Sequence, residues 1–576
     1  MQGPTFSVHD IPFSYRGSWF GISPVIAENI VADDLHLVSH QTGMHPVLRF
    51  TPLLNGARAD TRIVAAPSRL RWESDGDGID AGRIELAYQD ADTVRLRGAG
   101  LGLRITVAST TLSPFSGSYL FHDPVADAHV LTSYETGRRY RITVLDGTIT
   151  EAIGVEALGT GERHLTLPAG PVWEIAIEEY QTGRRPLVAC SFEEAVEAVA
   201  NQFASFVDAV APWRDPGTPA AELAAYVIWS ATVDPAGFVA RPAVLMSKHW
   251  MDKVWSWDHC FNALALAAGE PALAWDQFQL PFDHQDPTGA LPDSVTHSEV
   301  LYNFVKPPIH GWALRRLGLS LTEHQLQETY ARLARWTRFW LDQRRVPGHE
   351  LPHYQHGNDS GWDNATTFDG DRVLETADLA AFLVLQMREL AELATRLDRT
   401  QESRQWRATG DAMRAALLAE LWDGTRFVAR SAATGAPRAG RSLLDVMPIV
   451  LGAELPPDVA TALAARIGDH LTAYGLATEP VGSPDYHADG YWRGPIWAPS
   501  TVLVEDGLRR AGHTSLADDI SDRFRALCEK SGFAENFEAE TGTGLRDRAY
   551  TWTASSYLIL AAAHQQRSAA GRRAAE

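Results

Sequence analysis

The sequence has little cysteine, a deficit of basic residues and no long apolar runs. Its three cysteines, Cys190, Cys260 and Cys528, are odd in number and widely spaced, which excludes a disulfide framework. A formal net charge of −21 excludes nucleic acid and anionic membrane surfaces as partners, since both need clustered Lys and Arg. No apolar stretch approaches the roughly eighteen residues of a membrane span. The opening "MQGPTFSVHDIPFSYRGSWF" has neither a basic segment nor an apolar core of a secretory signal, so a cytoplasmic location is expected. Nucleophile elbows, phosphate loops and dinucleotide fingerprints are missing as well. His353 and His356 have a metal-compatible spacing, but no third or fourth ligand follows, so they are expected to be loop histidines and no metal site is expected.

Tryptophan, by contrast, is plentiful. Many of the 18 indoles fall in loops rich in Gly, Pro and Asp, where burial in a regular core is a weaker explanation. At 576 residues the chain is also long enough for more than one core. Residues 1–190 have the period of two of half-buried strands. In "LGLRITV", Leu101, Leu103, Ile105 and Val107 share one face, and Arg104 and Thr106 the other. "YRITV" and "WEIAIE" repeat the pattern, and "SDGDGID", "ETGRR" and "LDGT" are expected turns. An N-terminal antiparallel β-sandwich is expected. At Ser191 the period changes: Ser191 and Glu194 make a capping box ahead of an amphipathic helix. The Pro-rich "APWRDPGTPA" then completes a connecting segment over 191–218.

From 219 to 576 the periodicity predicts twelve helices, near 219–233, 257–269, 270–279, 304–318, 322–345, 372–398, 400–422, 440–452, 456–472, 495–512, 514–531 and 550–567. Their connections alternate, short after each even-numbered helix and long after most odd-numbered ones. Short connections make antiparallel neighbours, so alternation gathers every long loop at one end. Six such hairpins in a ring form an (α/α)6 barrel with a single decorated mouth.

The long loops hold most of the unusual residues. The first carries "KHWMDKVWSWDHC", with Trp255, Trp257 and Asp258. The second carries "GALPDS" and runs into "KPPIHGW", with Lys306. The third is "HGNDSGWDNA", with Asp359, Gly361, Trp362 and Asp363. The fifth carries "DYHADGYWRGPIW", with Trp492, Arg493, Gly494 and Trp497, and the sixth "GFAENFEAETGTG", with Glu535. Indole faces suit the C–H faces of a sugar, and carboxylates and Arg suit its hydroxyls, so a small carbohydrate is the expected ligand. Cleaving a glycosidic bond takes two carboxyl groups, one to protonate the leaving oxygen and one to activate water or attack carbon. Asp359 and Asp363 lie too close in sequence to flank a ligand. A partner from the last loop is needed, and spacing leaves Glu535, Glu538 and Glu540 open.

"DSGWDNA", "KPPIHGWAL", "YWRGPIWAPS" and "FAENFEAETG" resemble, in this order, the motifs of glycoside hydrolase family 63 and its mannosylglycerate and glucosylglycerate hydrolase-like relatives, a clan shared with trehalases. The β region resembles the bacterial α-glucosidase-like members in architecture. The resemblance implies an (α/α)6 barrel, inversion at an α-linked glucoside or close relative such as mannose, and no cofactor. It implies that Asp363, in Ser-Gly-x-Asp-Asn, is the general acid, and that Glu535 is the general base. It also implies that Asp258 grips the −1 sugar and that Trp492, Gly494 and Trp497 wall that subsite. Lys306 stands where some relatives carry Gln, and Asp359 where relatives often carry Glu, which points to a supporting role. A raised pKa is expected for the acid, with Trp362 and Asp359 as its causes, and an ionised state for the base. A phosphorylase or epimerase on the same barrel, or a non-catalytic carbohydrate binder, are the competing readings. A phosphorylase would make Glu535 dispensable, and an epimerase would need histidines facing the site.

Overall fold

The computed structural model describes residues 3–74, 82–170, 172–183 and 186–575. The expected turn in "SDGDGID" lies, beyond Ser74, outside them. Contacts divide the chain into two units. The first comprises Met1–Ala209, Ala225–Lys253 and Thr296–Glu299; the second comprises Val210–Ala224, Val254–Val295 and Val300–Glu576.

The first unit is built on two antiparallel sheets. The larger runs, in spatial order, Ser118–Asp123, Ala128–Ser133, Arg138–Asp146, Trp173–Tyr180, Thr93–Ala99, Arg83–Asp90, Arg69–Ser74 and Thr61–Ala66. The other runs Phe20–Ala27, Ile30–Ser39, His45–Leu54, Gly102–Val107, His164–Leu167 and Glu151–Ile153, with Ala57–Arg58 returning on the third strand. Alternation sets the inner faces: Leu101, Leu103, Ile105 and Val107 are buried, as the period of two requires. The Tyr88 hydroxyl donates to the Phe20 carbonyl at 3.0 Å, which ties one sheet to the other inside the core. The helix Phe192–Val210 starts at the expected capping box. The Ser191 N–H donates to Glu194 Oε2 at 2.7 Å, and the Glu194 N–H to Ser191 Oγ at 3.2 Å.

In the second unit six helices pack side by side in a closed ring: His259–Leu266, His310–Leu317, Ala377–Arg396, Leu443–Glu454, Ala498–Arg510 and Thr551–Ala575. Each of the first five is followed, after a short connection, by an outer helix: Pro271–Gln279, Glu323–Gln343, Thr400–Ala416, Pro457–Asp469 and Thr514–Ser531. The expected barrel is therefore present, and every long loop leads into the N-terminus of a ring helix. The ring helices are apolar nearly all round because they have neighbours on every side; Ala377–Arg396 is buried at sixteen of its positions.

Several boundaries differ from the periodicity. The helix expected over 304–318 starts only at His310, because Pro307 and Pro308 force the preceding backbone out of the α region. The helix expected from 372 begins at Ala377, because Leu374–Glu375 pairs as a strand with Ala429–Ser431. The eighth segment is a 3₁₀ helix with Pro448 inside it and a break at Gly452, whose φ is 59°. Among the described residues no helix is long and apolar enough to cross a membrane.

Candidate active site

The six long loops are sewn to one another around the mouth. Val254 and Trp255 of the first loop pair with Val295 and Ser294 of the second. The Val305 N–H of the second donates to Asp359 Oδ1 of the third at 3.1 Å, and Lys306 Nζ donates to the Asn358 carbonyl at 2.9 Å. The third pairs with the fourth through Leu374 and Ser431. It also holds the fifth: the Trp492 N–H donates to Asn364 Oδ1 at 3.0 Å, and Asn364 Nδ2 to the Gly490 carbonyl at 3.0 Å. The fifth and sixth exchange two backbone hydrogen bonds between Ile496 and Phe537, at 2.7 and 3.0 Å. Trp552, just past the sixth, meets Trp257 of the first edge-on, with ring centroids 4.9 Å apart, and closes the circle.

Within this ring sit Asp258, Asp293, Asp363 and Glu535. Asp258 ends the first loop directly before a ring helix and is 3% exposed; Glu535 is 1% exposed. Burial pushes Asp258 up to about 8, with Lys306 pulling down and Asp363 and Asp293 pushing further up. Burial likewise pushes Glu535 up to about 8; Asp547 adds to the rise, while Arg546 and the Tyr491 hydroxyl oppose it, and Asp363 contributes a smaller rise. Its two carboxylate oxygens make no hydrogen bond of normal geometry with the described residues. Asp363 keeps partial exposure at the mouth and is also raised, first by burial and then by Asp293, against Lys306 and His356. Asp258, Asp363 and Glu535 therefore share one electrostatic environment, in which like charges discourage full ionisation.

Two expectations change here. Asp359 is not what raises Asp363. It is 1% exposed, ion-paired with Arg344 at 2.8 Å, and accepts the backbone N–H groups of Val305 and Gln355. Its carboxylate anchors the second and third loops, and the carboxylate that acts on Asp363 is Asp293. Nor is Glu535 set to be ionised simply by position, since burial beside Asp547 drives it the other way.

The aromatic wall is continuous. Trp492 and Trp497 stack with centroids 4.0 Å apart and planes 6° apart, Trp362 lies 4.6 Å from Trp492, and Trp552 lies 6.0 Å from Trp497. Trp257, Trp362, Trp492 and Trp497 are almost fully buried, so this wall is dry. Trp255 is the partly exposed member of the five expected indoles. Two glycines make this packing possible. A Cβ on Gly361 (φ 75°) would come 2.4 Å from the Trp257 ring, and one on Gly494 (φ 145°) would come 2.3 Å from the His487 carbonyl.

The basic candidates are engaged with the protein. Lys306 pairs with Asp293 at 3.0 Å. Arg493 donates to the Asn364 carbonyl at 2.7 Å and pairs with Asp369 at 2.5 Å, which makes it a tie between the third and fifth loops. Asp293, Tyr491, Arg546 and Asp547 belong to the same environment and were not picked out by sequence reasoning. Asp293 lies inside the quoted "GALPDS" and Tyr491 inside "GYWRGPIW"; Arg546 and Asp547 follow the last motif with no signal of their own.

One group with metal-binding side chains occurs among the described residues: His259, Cys260 and His310, all buried, with donor atoms within 4.8 Å of one another. Its hydrogen bonding does not suit a metal. His259 Nδ1 donates to the Trp255 carbonyl, leaving Nε2 to face Cys260 Sγ at 3.6 Å. His310 Nδ1 accepts the Trp336 indole N–H at 3.2 Å, so its proton resides on Nε2, the atom a metal would need. His356 accepts the Asn358 N–H at 3.1 Å and stacks on Phe304, as a loop histidine does.

A family profile described as "Mannosylglycerate hydrolase MGH1-like glycoside hydrolase domain" matches residues 251–553, more than half of the chain. The chain belongs to this family. It is thus a glycoside hydrolase, of family 63, in the clan of the trehalases. A mannosylglycerate hydrolase of Rubrobacter radiotolerans is 25% identical over 417 residues, which is 56% of this chain and 92% of that protein. A glucosylglycerate hydrolase of Mycolicibacterium hassiacum is 24% identical over 463 residues, 60% of this chain and 99% of that protein. The crystal structure of a family 63 mannosylglycerate hydrolase from Thermus thermophilus in complex with glucose superposes with a TM-score of 0.52. The two are 22% identical, over 58% of this chain and 98% of the other. The same protein in complex with Tris and D-glycerate gives a TM-score of 0.51 at 21% identity. The match starts at residue 251, so most of the β-sheet unit lies outside the family profile.

Proposed function

We propose that this family 63 enzyme is an inverting α-glycoside hydrolase, with Asp363 as general acid and Glu535 as general base. The observation that carries this reading is the placement of the two groups. Asp363 is on the third of six loops around a ring and Glu535 on the sixth, so a sugar in the mouth would have one carboxyl group on either side. Asp258, buried between them electrostatically and raised with them, is suited to hold hydroxyls of the −1 sugar, and Trp255 offers an accessible indole face. Inversion is then a single displacement. Water attacks the anomeric carbon from the Glu535 side and gives its proton to that carboxylate. The bond from the anomeric carbon to the leaving oxygen breaks, and the oxygen takes the proton of Asp363. Burial keeps Asp363 protonated closer to neutral pH than a free carboxyl group would be.

For the substrate class, the relatives named for mannosylglycerate and glucosylglycerate support a short α-linked glucoside or mannoside, either a small oligosaccharide or a glycosylated small molecule. Two single replacements test the mechanism. Asp363→Ala and Glu535→Ala should each lower kcat by about 10²–10⁴-fold while the protein stays folded. Hydrolysis surviving both changes would exclude the assignment. A panel of α-linked disaccharides and glycosylglycerates, with the product followed by NMR, should yield the β-anomer first; an α-anomer would indicate retention.

A further inference from the structure

The general base proposed above is buried, lacks a direct ion pair among the described residues and must still give up its proton. Glu535 precedes the strand Asn536–Phe537, which pairs with Gly544–Leu545 through Asn536 and Leu545. The chain then turns through Arg546, whose φ of 59° is left-handed, and the Asp547 carbonyl accepts the Glu535 N–H at 2.7 Å. For a residue with a side chain that conformation costs about 1–2 kcal/mol and persists only where the surroundings enforce it. Tyr491, on the neighbouring fifth loop, is left-handed too, with φ 64°.

The two strained residues meet. The Arg546 guanidinium lies 5.0 Å from the Tyr491 ring centroid. It also donates to Asn536 Oδ1 at 2.9 Å, on the residue next to Glu535, and pairs with Asp489 at 2.6 Å on the fifth loop. Its side chain is 28% exposed, so it bridges from solvent inward rather than sitting on the surface.

We propose that Arg546 is the positioning residue of the general base: it fixes the Glu535 strand against the fifth loop and supplies the positive charge that lets Glu535 ionise. This rests on the reading of Glu535 as the base. Around Glu535 the acidic neighbours are Asp547 and Asp363, which oppose ionisation. The phenols facing the same cluster are Tyr491 and Tyr550, both held well above their usual range by burial and by these carboxylates. Arg546 is the basic group whose charge acts in the other direction on Glu535. The Tyr491 ring packs against the guanidinium, while its carboxylate partner Asp489 is 67% exposed, so solvent screens that pair and leaves the cation able to act inward on Glu535.

The test is the pH dependence of kcat/KM in the full-length enzyme, with Glu535→Ala as control. A base works above its pKa, so losing a cation that favours its ionised form must move the acidic limb to higher pH. Arg546→Gln should shift that limb upward by about one pH unit, which at pH values below the limb is about a tenfold loss. Arg546→Lys should bring the limb most of the way back. If Arg546→Gln loses activity at every pH equally, with a lower Tm and an unmoved limb, Arg546 is merely structural and the inference falls. If Glu535→Ala itself stays active, the parent assignment fails, whatever Arg546→Gln does.

Discussion

The two ends of the helical ring handle buried acid in opposite ways. At the short-loop end, Asp506 is bound by two arginines: Arg316 Nε donates to it at 2.9 Å and Arg510 Nε at 3.0 Å, and the Trp312 indole N–H is a third donor at 3.0 Å. Burial alone would raise its pKa, but Arg316 and then Arg510 bring it below the ordinary value. At the mouth, Asp258 and Glu535 are as deep or deeper, meet few cations, and rise to about 8. Burial alone therefore does not set the charge of these carboxyl groups. The difference is whether a guanidinium hydrogen-bonds to them directly. The same contrast is repeated within four residues of the third loop, where Asp359 has Arg344 and Asp363 has only the shared pull of Lys306 and His356.

Three substitutions probe that contrast, the strongest first. Asp506→Ala leaves Arg316 and Arg510 side by side without their acid. Because the carboxylate keeps 22% exposure, the loss should be about 2–4 kcal/mol, below that of a fully buried pair. Denaturant unfolding should show it, with kcat/KM unchanged; a drop in kcat/KM at full stability would mean that the two ends are coupled. Gly361→Ala should cost about 2–3 kcal/mol, since a left-handed alanine would also press on the Trp257 ring. It should lower kcat as well, because Asp363 is two residues away. A silent Gly361→Ala would show that the indole packing is not needed to hold the acid.

The third runs the other way: Glu535→Gln should stabilise the fold in alkaline solution. Glu535 has a folded pKa of about 8 against an ordinary 4.5, so ionisation is disfavoured in the folded state. The resulting penalty is absent below the ordinary value, grows between the two, and is complete above the folded one. Glutamine removes it. A gain of about 1–3 kcal/mol is expected near pH 9 and none near pH 4. Equal stability of both proteins at the higher pH would mean that Glu535 is not held protonated.

Much of this arrangement was legible before any coordinates. Loop alternation is insensitive to helix boundaries, so the ring and its single mouth followed even though Pro307, Pro308 and Gly452 moved individual ends. The motifs located Asp258, Asp363 and Glu535 but not their surroundings. Asp359 and Asp363 look alike in sequence because Arg344, which distinguishes them, comes from the end of another helix. Arg546 was hidden for the same reason: its significance comes from Tyr491 and Asn536, and neither a period nor a spacing records that they meet. The electrostatics of Glu535 could not be read at all, since burial is a property of the assembled fold.

The stitching of the loops has a consequence for how this mouth can be remodelled. Each loop is pinned to its neighbours, so the mouth behaves as a hoop of fixed circumference. Lengthening a pinned stretch such as 490–496 or 535–537 would have to break the hoop or displace the carboxyl groups it holds apart. The slack lies between the pins, in exposed spans such as 433–436 of the fourth loop. New reach toward a bulkier substrate can be inserted there while the distance across the hoop, and with it the chemistry, stays as it is.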